Sequence, residues 1–84
     1  MIWCVEDDSS IRDIEVYALT STGFEAKGFE DGDSFLNALQ EEQPDLVVLD
    51  VMLPGINGFE ITAQARKKGI ITPILMLTAK AEVD

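Results

Sequence analysis

Oxygen-bearing side chains stand where the short apolar runs of this chain stop. Glu6, Asp7 and Asp8 follow Ile2-Trp3-Cys4-Val5, Asp50 follows Leu46-Val47-Val48-Leu49, and Thr78 follows Ile74-Leu75-Met76-Leu77. If the first and third runs form neighbouring strands, three or four carboxylates share one small volume. Like charges at close range either raise a pKa or require a cation. The chain has no histidine and one cysteine, so the available donors are oxygens, which suit a hard cation. Mg²⁺ takes a few carboxylates, several waters and a substrate phosphate. An aspartate in such a site can act as a nucleophile and form an aspartyl-phosphate. The cation then neutralises charge on the transferring phosphoryl group, and the hydroxyl of Thr78 is available to one of its oxygens. Any one of these acids has a plainer reading as a helix cap or a solvated loop residue, and Asp8 need do no more than one of these. The joint placement of Glu6, Asp7, Asp50 and Thr78 at three strand ends favours a site.

The elements that must position these residues alternate. Ile2–Val5 is continuous, apolar and short, as in a strand buried on both faces. Ser10-Ile11-Arg12-Asp13 has the spacing of a capping box, and Ile11, Ile14, Ala18 and Leu19 recur at helical intervals up to Gly23, a left-handed helix terminator. Phe24–Lys27 reads weakly as a second strand. Asp31 is an N-cap for a short helix carrying Phe35, Leu36 and Leu39, and Pro44-Asp45 ends that segment. Leu46–Leu49 is the clearest buried strand. Val51–Gly55 is a loop with a Pro-Gly turn. Asn57, with Glu60 three residues on, opens a helix through Arg66 or Lys68, closed by basic residues and Gly69. Thr72-Pro73 leads into a fourth strand, Ile74–Leu77. The order β-α-β-α-β-α-β predicts an α/β fold, a parallel sheet covered on both faces with right-handed crossovers. In such sheets ligands bind beyond the carboxyl ends of the strands.

Composition narrows the function classes. With 46% hydrophobic and 26% charged residues in 84, the chain is globular rather than disordered. A single cysteine excludes a disulfide framework, and without histidine there is no zinc finger and no Ser-His or Cys-His nucleophile. Apolar runs of a few residues exclude a membrane span, and no basic region precedes Ile2-Trp3-Cys4-Val5 as in a secretory signal, so a cytoplasmic location is expected. Net charge is −10 and uneven: −12 over residues 1–65, where Arg12 and Lys27 are the bases, and +2 over residues 66–84. Such a body repels phosphate backbones and attracts cations. Acids and serines after the first strand stand where a dinucleotide-binding Gly-x-Gly-x-x-Gly loop would be needed.

Val5-Glu6-Asp7-Asp8-Ser9-Ser10-Ile11-Arg12, then Pro44 through Gly58, then Pro73-Ile74-Leu75-Met76-Leu77-Thr78-Ala79 resemble the receiver domain of bacterial two-component response regulators. The Met52-Leu53-Pro54-Gly55 loop is most similar to the subfamily that carries a winged-helix DNA-binding domain. The resemblance runs the length of the chain. It implies a flavodoxin-like, doubly wound sheet of order 2-1-3-4, with the fifth strand, its terminal lysine and the fifth helix missing. Residues 1–84 are thus expected to be one receiver, truncated at its C-terminal end to about its first two-thirds.

The resemblance also implies roles. Asp50 is the phosphoacceptor. Glu6, Asp7, Asp50 and the backbone carbonyl of Met52 hold Mg²⁺, and Thr78 is the switch hydroxyl. Ala79 leaves room for the phosphoryl group, while Pro54 and Gly58 shape the loop and the next helix start. The implied partner is a histidine kinase. DNA is reached only through an absent output domain, and no membrane is involved. Without a fifth strand the fourth is an exposed apolar edge, so the segment is expected either to self-associate along it, or as a receiver–receiver dimer, or to belong to a longer ordered chain.

Two other functions compete with the phosphorylation switch. A Mg²⁺-dependent phosphohydrolase typically has a second acid two residues after its nucleophile, where this chain has Met52. A phosphorylation-independent interaction module would keep the fold without the chemistry. Cys4 is expected to be a buried hydrophobe, and Trp3, Phe35 and Phe59 core or helix-packing residues. Tyr17 is read as a packing residue with a wet hydroxyl, and Arg66-Lys67-Lys68 as helix-end electrostatics.

Overall fold

The computed structural model describes residues 1–77. The elements are β1 (Ile2–Val5), α1 (Ser9–Ser21), β2 (Ala26–Phe29), α2 (Gly32–Leu39), β3 (Leu46–Asp50), α3 (Gly58–Lys67) and β4 (Ile74–Leu77). All strand pairs are parallel, in the order β2-β1-β3-β4, as the resemblance implies. No helix among the described residues is long and apolar enough to cross a membrane.

Side chains alternate across a strand, and the register shows what each face carries. Trp3 and Val5 of β1 lie beside Val47 and Leu49 of β3, which in turn lie beside Ile74 and Met76 of β4. This face meets α2 and α3. Phe35, Leu36 and Leu39 come from α2 and Ile61 and Ala65 from α3, closing one continuous core. Trp3, Phe29 and Phe35 pack as a tilted aromatic trio, with ring centroids 4.9–6.1 Å apart. Among the described residues the indole N–H of Trp3 finds no acceptor, and Lys27 Nζ lies 6.0 Å from the ring centroid.

The opposite face carries the row Gly28, Cys4, Val48 and Leu75. Helix α1 lies over its β2 and β1 end. The apolar residues of α1 do not seat as their spacing predicts. Ile11 and Ile14 are exposed, the latter at 67%, and α1 has no fully buried residue. Its inward side instead carries Arg12, Glu15, Val16 and Leu19. Cys4 is fully buried, as expected, and burial, with the charge of Glu15, pushes its thiol up to about 11.

Three further expectations are corrected. The N-cap of α1 is Asp8, whose Oδ1 accepts from the backbone N–H groups of Ser10 (2.9 Å) and Ile11 (3.1 Å). A capping box on Ser10 would need the longer Glu or Gln where Asp13 stands. Strand β2 lies two residues later than Phe24–Lys27, because pairing runs from Ile2–Ala26 to Val5–Phe29 and seats Phe29 against Trp3. Phe24 is left exposed. Phe59 and Tyr17 are solvent-facing, at 62% and 74% exposure, on helix sides turned from the core.

Other local signals act as read. Asp31 and Asn57 cap α2 and α3 by accepting from the backbone N–H groups of Ser34 (2.7 Å) and Glu60 (3.0 Å). Gly23 and Gly69 adopt the positive φ that ends α1 and α3. Arg66, in the last turn of α3, donates to the carbonyls of Ile70 and Thr72, tying the helix end to the approach of β4.

Truncating Phe35 to alanine opens a cavity in the aromatic trio and should lower unfolding free energy by about 3–5 kcal/mol. Tyr17→Ala should change it by no more than about 0.5 kcal/mol. Urea denaturation of the two variants checks the assignment, and equal losses would contradict it.

Candidate functional site

Residues 2, 4 and 6 point to one side of β1 and its extension, and residues 46, 48 and 50 to the same side of β3. Because β1 and β3 are adjacent and parallel, with Val5 opposite Leu49, the next residues of the two strands leave the sheet side by side. That register brings Glu6, Asp7 and Asp50 together. Each offers a carboxylate oxygen within 4.8 Å of the others. Asp8, the fourth candidate, turns away to cap α1.

Backbone bonds hold the loops that carry these acids. The Glu6 N–H donates to the Phe29 carbonyl at 2.9 Å, and the Asp8 N–H donates to Glu6 Oε2 at 3.2 Å. Asp50 Oδ1 accepts from the Met52 N–H at 3.0 Å, and the Val51 N–H donates to the Leu77 carbonyl at 2.8 Å. Gly58 closes the loop from behind. Its N–H donates to the Val51 carbonyl at 3.1 Å. A Cβ at position 58 would lie 2.9 Å from Val51 Cα and 3.0 Å from the Asp50 carbonyl oxygen, so only glycine permits this approach. Gly58 thus shapes the loop as its place in the motif implies. Gly55, at the loop tip, has φ +78°. Pro54 and Met52 are exposed, and Leu53 anchors the loop in the core.

Burial and charge act differently on the three acids. Glu6 is buried, Asp50 half-buried and Asp7 exposed. The Glu6 carboxyl is pushed up to about 7, first by burial, against the opposing pull of the Asp8 N–H, and further by the charge of Asp50, to which the protonated form donates. A fourth carboxylate lies close by. Glu15, on the inner side of α1, is raised by burial and by the charge of Asp50, and its Oε1 has no hydrogen-bond partner among the described residues. The sequence analysis passes over Glu15 and treats Arg12 as a charge alone. The available signal was the spacing of Arg12, Glu15, Val16 and Leu19 at i, i+3, i+4 and i+7, a polar-headed stripe turned toward the sheet. Thr78 and Ala79 lie outside the described residues. β4 nonetheless sets Leu77 opposite Asp50, so the chain reaches the site at that point.

A buried carboxyl beside two others, with only oxygen donors, fits a hard divalent cation. Over residues 2–84 the chain matches the family model described as the response regulator receiver domain. It belongs to that family. This receiver is 43% identical over 81 residues to the alkaline phosphatase synthesis transcriptional regulatory protein PhoP of Bacillus subtilis, covering 96% of the chain and 34% of that protein. The chain therefore spans about a third of the length of that relative. Among solved structures, it is similar to the response regulator TrrA of Thermotoga maritima in complex with Mg²⁺ and BeF, with TM-score 0.86 and 36% identity over 93% of this chain and 68% of that one. It is likewise similar to a chain in the complex of the histidine kinase ThkA with TrrA, with TM-score 0.87 and 34% identity over 96% of this chain and 70% of that one.

The raised pKa of Glu6 has a consequence for stability. An acid that ionises near 4.5 when unfolded and near 7 when folded contributes stability below about pH 4.5, and that contribution is lost as pH rises to about 7. Without divalent cations, the urea midpoint should therefore carry a component that falls across this window. Glu6→Gln, which cannot ionise, should remove it. Asp31 and Asp45, whose pKa values are lowered by hydrogen bonds to Ser34 and to the N-terminal amine, act in the opposite sense below their usual 3.8. A midpoint in Glu6→Gln with the wild-type slope between pH 4.5 and 7 would contradict the assignment of that window to Glu6.

Proposed function

We propose that residues 1–84 are one phosphoacceptor signalling unit, in which Asp50 takes a phosphoryl group from a histidine kinase. The observation that carries this reading is the convergence of Glu6, Asp7 and Asp50 carboxylate oxygens within 4.8 Å at the carboxyl ends of β1 and β3. Glu6, Asp7, Asp50 and the Met52 carbonyl are the groups that would hold Mg²⁺. When bound, Mg²⁺ neutralises negative charge on the phosphoryl oxygens. The complex of a similar receiver with Mg²⁺ and BeF supports this choice of ion.

Asp50 is read as the acceptor: it is the half-buried acid of the three, and the Met52 N–H holds its Oδ1. A carboxylate oxygen of Asp50 attacks phosphorus. The new O–P bond forms as the P–N bond to the kinase imidazole breaks, and the imidazole departs after taking a proton from solvent. Thr78, outside the described residues, is the hydroxyl that the family resemblance assigns to the phosphoryl group. The added charge and acceptor oxygens then bias a surface that a partner reads. Position 52 is an exposed Met rather than a second acid, which supports a phosphoacceptor without turnover of a separate substrate.

The kinase partner is supported by the solved kinase complex of a similar receiver. Control of transcription through a DNA-binding output domain is supported by the relatives, which are named as transcriptional regulators.

Acetyl phosphate and Mg²⁺ should label the protein once, at Asp50, by intact-mass and peptide mass spectrometry. Asp50→Ala and prior removal of Mg²⁺ with EDTA should each abolish the label. Undiminished labelling of Asp50→Ala would overturn the assignment.

A further inference from the structure

One base sits against the acidic loop. Arg12 Nη1 donates to the Glu6 carbonyl at 2.8 Å and, at a long 3.5 Å, to the Asp7 carbonyl. These are the peptide oxygens of two of the converging acids. The guanidinium thus grips the backbone of the same two residues whose carboxylates converge with Asp50. The route by which Arg12 gets there is specific. Its stem crosses from α1 over β2 and rests on Gly28. A Cβ at position 28 would lie 2.8 Å from Arg12 Cγ and 2.9 Å from Cδ, closer than real contacts allow. These are mid-chain atoms, so a methyl there displaces the whole side chain.

We propose that Arg12 is a positioning residue for the metal-binding loop, and that Gly28, on a strand that bears none of the site's acids, is the seat that lets it reach the Glu6 and Asp7 carbonyls. This inference rests on the reading of Glu6 and Asp7 as Mg²⁺ ligands.

Charge and position predict opposite signs, which makes the idea testable. Removing a cation from beside a cluster of carboxylates, by itself, strengthens the attraction of that cluster for Mg²⁺. Removing a clamp that orients two of the ligands weakens it. The hydrogen bond is charge-assisted and short, whereas the through-space effect is screened by salt. Positioning should therefore win, by roughly tenfold in Mg²⁺ affinity, the scale of one hydrogen bond to a charged group. The effect should persist at high salt.

Mg²⁺ titration calorimetry in low and high salt tests this on the wild-type protein, Arg12→Met, Arg12→Ala, Gly28→Ala and the double variant Arg12→Ala with Gly28→Ala. A thermal melt without Mg²⁺ is recorded for each, so that only folded protein is compared. Arg12→Met should bind Mg²⁺ roughly tenfold more weakly, against the sign of a pure charge effect. Gly28→Ala should also weaken binding, yet add nothing in the Arg12→Ala background, where the stem it displaces is gone. The initial rate of acetyl phosphate labelling should fall at low Mg²⁺ and recover at saturating Mg²⁺, a split that general loss of structure does not produce.

Unchanged or tighter Mg²⁺ binding by Arg12→Met would overturn the proposal. So would effects of the two alanine substitutions that add within about twofold, the behaviour of independent sites. If Arg12→Met does not fold, the Gly28→Ala arm decides alone: unaltered Mg²⁺ affinity in that variant overturns the proposal. Failure of the wild-type protein to bind Mg²⁺ would overturn the metal reading itself, which separates that failure from this one.

Discussion

Three carboxylates held within 4.8 Å of one another repel, and the molecule must hold them there in spite of it. It does so by covalent and hydrogen-bonded constraint. Glu6 and Asp50 each continue a strand whose upstream residues are locked in the parallel sheet, so their separation is set by strand spacing rather than by attraction. Part of the strain is relieved by protonation: buried Glu6 keeps its proton up to about 7. The divalent cation that we propose for this site would relieve it more completely, and in that sense repulsion would become affinity.

The sheet divides its two faces between stability and chemistry. The face under α2 and α3 carries the aromatic trio and nearly all of the buried apolar side chains. It holds β1 and β3 in register. The α1 face carries Glu6, Asp50 and, from the helix, Glu15, with exposed Leu75 further along. A carboxylate such as Glu15, half-buried with an oxygen lacking a partner, is costly in a core. Here it adds to the field at the site: burial and the charge of Asp50 raise its own pKa, and its charge adds to burial in raising that of Cys4.

The loops are held as carefully as the strands. Asp8 caps α1, Asp50 accepts from the Met52 N–H, and Gly58 lets α3 begin against the Val51 backbone. Each contact fixes a residue next to an acid. The kinase-fed phosphoacceptor chemistry that we propose needs this rigidity, because an oxygen displaced by an ångström loses much of its advantage over bulk water.

The strand and helix order, the caps at Asp31 and Asn57 and the endings at Gly23 and Gly69 could be read from residue types alone. Each depends on local chemistry: an apolar run long enough for a strand, an oxygen that accepts from the next turn, a backbone that tolerates positive φ. So could the candidacy of Glu6, Asp7 and Asp50, since acids at the ends of buried strands have few other uses in combination. The neighbourhood of β1 and β3 was a different matter, because strand order depends on which surfaces cover each other and entered through the family resemblance. Tertiary packing alone decided that β2 slides to seat Phe29 on Trp3, that Ile14 and Tyr17 face solvent while Glu15 turns inward, and that Arg12 crosses Gly28 to grip the acidic loop. Periodicity marks a stripe on a helix but not which neighbour will meet it, and that choice belongs to the whole fold.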